Sequence, residues 1–118
     1  MEKIIKILKA ISDENRLRII CLIFHKSGLC ACEITKVIGL SQSTISSHLK
    51  KLQDAELMTY SKDGLWINYC INKNLEKNFL TLISLLMDQL KGDKKIKKDL
   101  ENAEKVSRHK ICKRNKAN

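Results

Sequence analysis

Residues 28–35 read GLCACEIT, with Cys30 and Cys32 one residue apart and Glu33 directly after them. The stretch has the form of a helix capping box in which cysteine replaces serine or threonine. Cys30 stands at the N-cap, and Glu33, at the third helical position, can reach back to it. A thiol is a weak hydrogen-bond acceptor, so sulfur at this position gives up about 1 kcal/mol of cap stability. A local rule broken without structural gain points to function. Inside a regular helix, residues i and i+2 lie about 200° apart and cannot share an ion. In the extended backbone that leads into a helix they fall on one side, and a helix N-terminus favours the thiolate, which is the ligand form. Two thiolates select thiophilic ions: As(III), Sb(III), Cd(II) or Pb(II), with Zn(II) as a generalist. On spacing alone, the pair reads equally well as two small half-buried side chains.

The elements that must position this pair follow from the apolar periodicity. Ile4, Ile5, Ile7, Leu8 and Ile11 form a helical stripe over residues 2–11. Ser12 and Asp13 offer N-cap chemistry for a second helix over 13–25, with Leu17, Ile20, Cys21 and Phe24 expected inside. A short helix over 31–38 turns Ile34, Val37 and Ile38 inward and ends at Gly39, which suits a left-handed cap. Ser41 caps the next helix, 42–55, whose inner residues are Ile45, Leu49 and Leu52. Two helices joined by GLS at this spacing make a helix-turn-helix. Two β-prone runs around Asp63-Gly64 predict a hairpin. Leu75, Phe79, Leu82, Ile83, Leu86 and Leu90 then predict a long amphipathic helix, and Ile96, Leu100 and Ala103 a last one.

The fold class is therefore mainly α: a winged helix-turn-helix with flanking dimerisation helices. Residues 1–107 are expected to form one DNA-binding and dimerisation domain, and 108–118 a frayed basic tail. The first and last helices carry more apolar surface than a three-helix core covers, which predicts a two-fold homodimer.

The helix from Gln42 has one aliphatic face and one polar face, formed by Gln42, Ser43, Thr44, Ser46, Ser47, His48, Lys50 and Lys51. Short hydroxyl and amide side chains near a helix start can approach base edges and phosphates. No acidic residue occurs from 34 to 53, which is unusual for an ordinary solvated face and fits DNA contact. Lys50 and Lys51 suit phosphates, and Lys62, expected at the hairpin tip, could touch an adjacent phosphate or the minor groove. His48 suits packing or a phosphate hydrogen bond. A dimer would place two such helices in successive major grooves, so the expected partner is double-stranded operator DNA with an inverted repeat.

Charge agrees. The 118 residues carry a formal net charge of +10. Residues 91–118 hold eleven Lys/Arg against four Asp/Glu, and residues 1–90 hold twelve against nine. Nucleic acid is the commonest partner of such a chain, with an anionic membrane surface or a solvated lysine tail as the alternatives. No apolar stretch is long enough to span a bilayer, and the N-terminus lacks the form of a signal peptide. The expected location is the cytoplasm, where five cysteines are free thiols or ligands rather than disulfides.

SDENRLRIICLI, LCACEI, GLSQSTISSHLKKLQDAEL and KDGLWINYCI, in this order over residues 5–72, resemble the ArsR/SmtB family of metal- and metalloid-responsive repressors. The resemblance implies a homodimeric winged-helix repressor that leaves its operator when an ion binds. It further implies Cys30 and Cys32 as ligands and 42–55 as the recognition helix. Arsenite or antimonite is the expected inducer, with cadmium, lead or zinc as the alternative. Arsenite-responsive members commonly carry a third cysteine three positions after the second, where this chain has Thr35. Pyramidal trivalent arsenic wants three sulfurs. Cys112 is the expected third ligand, from its own or the partner subunit, with a spectator cysteine among lysines as the alternative. The extra N-terminal cysteines of cadmium and lead sensors have no counterpart in residues 1–12, and Asp88 has no histidine nearby to rebuild the family's C-terminal zinc site. Ser43 stands where proline is frequent, and Glu56 where glycine is usual.

Cys21 resembles the second-helix cysteine of persulfide-sensing relatives, but residues 73–91 hold no partner cysteine. A thiol oxidoreductase would call for C-x-x-C in an α/β fold, and the chain shows no βαβ unit, so no enzyme activity is expected.

Overall fold

The computed structural model describes residues 1–107. Six helices and one hairpin follow in the order α1 (Glu2–Ile11), α2 (Glu14–His25), α3 (Ala31–Ile38), α4 (Gln42–Asp54), β1 (Met58–Asp63), β2 (Trp66–Ile71), α5 (Lys77–Leu90) and α6 (Lys94–Lys105). This is a winged helix-turn-helix, with α3 and α4 as the two-helix unit and the hairpin as the wing.

The boundaries have local causes. Asp13 caps α2 by accepting the Arg16 backbone N–H at 3.0 Å, and that bond holds its carboxyl below the usual carboxylate range. Gly39 ends α3 in the left-handed region at φ 82°, the conformation that lets the chain turn at once into α4. Ser41 caps α4 by accepting the Thr44 N–H at 3.2 Å, and Asp93 caps α6 from Ile96 at 3.0 Å. Glu56 takes φ 60°, a left-handed turn made without glycine, and Asn72 supports it by donating its side-chain N–H to the Glu56 carbonyl at 2.9 Å.

Helix α2 is the centre of the core. Its Ile19, Ile20, Leu22 and Ile23 pack with Ile34 and Ile38 of α3 and with Ile45, Leu49 and Leu52 of α4. Each such side chain contributes roughly 1.5–3 kcal/mol of transfer free energy. The expected inner face of α2 is thus rotated. Phe24 is exposed and Leu17 only half-buried, because α2 is covered by helices on several sides and buries a run rather than a stripe. Cys21 is buried, as expected.

The wing is shifted by one residue from its expected turn. Asp63 pairs with Trp66, so the two-residue loop is Gly64-Leu65, with Gly64 at φ 62°. Lys62 is therefore not at the tip as expected: it pairs with Ile67, one step back from the end of the ladder. A third segment joins the wing. Tyr69 donates its backbone N–H to the Leu29 carbonyl at 2.9 Å and accepts from Gly28 N–H at 2.9 Å, which ties the residues just before α3 to β2.

The chain then folds back, and α6 packs across α2 and α3. Arg18 of α2 grips Asp99 of α6 with two bonds, Nε to Oδ2 at 2.8 Å and Nη2 to Oδ1 at 2.9 Å. Its Nη2 also donates to the Ile38 carbonyl at 3.1 Å, at the last residue of α3. One guanidinium thus joins three helices where the helix-turn-helix bends. Ile4, Ile5 and Leu8 of α1 and Leu85 of α5 remain exposed. No described helix is long and apolar enough to cross a membrane.

Candidate inducer site and nucleic-acid interface

Cys30 is the N-cap of α3, in extended backbone at φ −88° and ψ 167°, and Cys32 is the second helical residue. The capping box is closed. Glu33 Oε1 accepts the Cys30 backbone N–H at 3.0 Å, and the Cys30 side chain receives the Glu33 N–H in return. With sulfur in place of oxygen, that second half is the weak one. Cys30 is only 3% exposed, whereas Cys32 is half-buried. The residue before Cys30 is Leu29, hydrogen-bonded to Tyr69 of the wing. Burial raises the Tyr69 hydroxyl above its ordinary pKa, and the neighbouring Tyr60 and Cys30 add to the effect. Cys30 therefore sits between the start of the helix-turn-helix and the base of the wing.

Only Cys30 is in extended backbone, and Cys32 already belongs to the first turn of α3. Cys32 is disulfide-bonded in the structure, against the expectation that the cysteines are free thiols or ligands. Once reduced, two sulfurs at the mouth of a helix suit a thiophilic ion in chemistry. Among the described residues no group of three His, Cys, Asp or Glu side chains gathers around a metal position. Cys112 lies outside the described residues. Thr35, one turn after Cys32, has its Oγ1 buried with no hydrogen-bond partner among the described residues.

On α4, Gln42, Ser43, Thr44, Ser46, Ser47, Lys50 and Lys51 are all exposed, as the polar face requires, and Lys62 is exposed on the wing. The structure subdivides that face. The Thr44 hydroxyl accepts from Ser41 Oγ at 2.8 Å, so it also serves the cap. His48 is half-buried on the flank of α4, with Nδ1 3.4 Å from Arg16 Nη1. Desolvation is the main cause that lowers the His48 pKa, so the ring is neutral near pH 7 and positions Arg16 rather than carrying charge itself.

Three features escape sequence reasoning. Arg18 and Asp99 lie 81 residues apart, and only the isolated aspartate on the apolar face of α6 hints at a buried pair. The Leu29–Tyr69 bridge has no sequence signal. Lys6, Lys9 and Arg16 gather beside Lys51 at the flank of α4, although their spacing suggests only solvated positions.

Comparison with known proteins gives this geometry a family. Residues 13–60 match the family described as bacterial regulatory protein, arsR family. The cadmium resistance transcriptional regulatory protein CadC of Listeria innocua is 40% identical over 68 residues, which is 58% of this chain and 56% of that protein. The arsenical resistance operon repressor of Bacillus subtilis is 38% identical over 64 residues, 54% of this chain and 61% of that protein. The chain thus spans just over half the length of these curated relatives. A crystal structure described as a predicted DNA-binding transcriptional regulator from E. coli superposes with a TM-score of 0.65 at 32% identity, covering 75% of this chain and 90% of that one. These relatives are regulators, not enzymes. The match over α2 to β1, where the helix-turn-helix and the cysteine-capped α3 lie, is one of sequence as well as shape: the chain belongs to the ArsR family of bacterial regulatory proteins.

Proposed function

We propose that the protein is a homodimeric repressor that holds operator DNA through α4 and the wing, and lets go when Cys30 and Cys32 take up a thiophilic ion. The observation that carries this reading is the place of Cys30: cap of α3 on one side, neighbour of the Leu29–Tyr69 link to the wing on the other. With the Cys32 disulfide first opened by a thiol reductant, drawing two thiolates around an ion breaks the weak sulfur half of the capping box and moves the start of α3. That shift reaches both DNA-facing elements, α4 through its packing on α3 and Lys62 through β2 and β1. Binding of ion and DNA then oppose each other, and a coupling of roughly 1–3 kcal/mol is enough for a switch.

Arsenite or antimonite is the proposed inducer, with Cys112 as the third sulfur. The 40% identity to a protein named for cadmium resistance keeps cadmium, lead or zinc as the second reading on the same two cysteines. The second copy is proposed to cover Ile4, Ile5, Leu8 and Leu85, which one protomer leaves exposed.

The test is release from DNA with thiols kept reduced. A fluorescent duplex selected from a random pool by the protein is titrated with arsenite, cadmium and lead in turn. Release by at least one ion, lost in Cys30→Ser/Cys32→Ser, is expected. A double variant that still responds overturns the site.

A further inference from the structure

Helix α1 lies outside the helix-turn-helix, yet it carries three distinct faces. Ile7 and Ala10 are buried in the core, Ile4, Ile5 and Leu8 form the exposed apolar face, and Lys6 and Lys9 occupy the remaining side. That third side borders an open recess of about 330 Å³ between α1 and the C-terminal half of α4. Lys6, Lys9, Arg16 and Lys51 line it, against a single carboxylate, Asp54.

The recess is organised. Arg16 is fixed at its edge by donating Nε–H to the Ala10 carbonyl at 2.6 Å, with Nη1 against His48. Lys6, Lys9 and Lys51 form no ion pair among the described residues. Four cations drawn from three helices repel one another, and an anion between them relieves that repulsion. At His48, after desolvation, Asp13 raises the pKa while Arg16 and Lys51 lower it, so Asp13 offsets part of the positive charge at the Arg16 edge of the recess.

Position identifies the anion. His48, Lys51 and Ala55 follow one another at three- and four-residue steps, so they form one row along the flank of α4 that faces α1 and α2. Ser43, Ser46, Ser47 and Lys50 occupy the neighbouring, fully exposed face. A helix whose exposed face lies in a major groove has a phosphate strand along its flank.

We propose that the recess lined by Lys6, Lys9, Arg16 and Lys51 seats a backbone phosphate of DNA, making α1 part of the DNA-binding surface. This rests on the reading of α4 as the DNA-contacting helix. Phosphate seats of this kind fix register and supply affinity without reading sequence. This one would also anchor DNA to the helix whose apolar face is proposed to meet the partner subunit.

The experiment compares wild type with Lys6→Gln/Lys9→Gln on the duplex that wild type selects from a random pool, measuring affinity across a salt series. Each phosphate contact abolished takes about 0.9 from the slope of log K against log salt, so losing one seat in each protomer of a dimer takes up to about 1.8. The expected result is a shallower slope, at least tenfold weaker binding at low salt and an unchanged selected sequence. Lys6→Arg/Lys9→Arg, which keeps the charge, restores both slope and affinity. A Gln variant with the wild-type slope overturns the phosphate seat, whether or not its affinity falls. So does an Arg pair that fails to restore binding. A wild-type protein that selects no duplex overturns the DNA-binding reading itself, and the seat with it.

Discussion

Glu33 and Cys30 hold each other across the first turn of α3: the carboxylate accepts the Cys30 N–H at 3.0 Å, and the sulfur takes the Glu33 N–H. Oxygen in place of sulfur closes the same box more strongly. Cys30→Ser is therefore expected to match or exceed wild-type stability, by up to about 1 kcal/mol in urea unfolding, while losing the ion response. Cys30→Ala, which has no acceptor, is expected to be the less stable of the two. A serine variant as unstable as the alanine one contradicts the capping role.

Thr35 stands one helical turn after Cys32, and its buried Oγ1 has no partner among the described residues. Thr35→Cys places a third sulfur on the same stretch of helix. It is expected to lower the arsenite concentration needed for half-release by about tenfold, an added affinity of about 1.4 kcal/mol. Titration of the DNA complex reads this directly.

The Arg18–Asp99 pair is nearly dry, with side-chain exposures of 14% and 4%. Removing one member leaves an uncompensated buried charge, so Asp99→Ala is expected to cost about 3–5 kcal/mol of unfolding free energy. Arg18→Met/Asp99→Leu, which removes both charges, is expected to recover most of that. Because Arg18 also holds the Ile38 carbonyl, the single variant should weaken DNA binding as well.

Cys21 is buried, and burial, followed by the nearby Asp99, pushes its thiol up from 9.0 to about 11. Between these values the unfolded chain loses the proton and the folded chain keeps it. The stabilising contribution is thus fully present below pH 9 and is lost as pH rises through about 11. Cys21→Val is expected to flatten that alkaline decline in urea unfolding. Native Cys21 should also resist alkylation near neutral pH, which sets it apart from a reactive sulfur sensor.

Most of the fold was legible in the sequence because caps and periodicity act locally. Asp13, Ser41, Gly39 and the Ile45–Leu49–Leu52 spacing each place one helix boundary or face without help from the rest of the chain. Phe24 was misplaced because α2 is covered on several sides, so a single-stripe rule no longer applies. The wing slipped by one residue because Gly64 alone, without Asp63, supplies the positive φ of the loop. Within the candidate site, the oddity of cysteine at a cap was visible in eight residues. The links that make it matter, Leu29 to Tyr69 and Arg18 to Ile38 and Asp99, join residues distant in sequence and carry no local mark. Glu56 was legible in a further sense: a left-handed position lacking its usual glycine is what the chain contains.

The most direct measurement is the arsenite affinity of the protein determined twice, free and saturated with its selected duplex. Coupling between two ligands is reciprocal, so DNA must weaken arsenite binding by the factor by which arsenite weakens DNA binding, about 5–150-fold. Equal arsenite affinity in the two states contradicts the account, however tightly the ion is held.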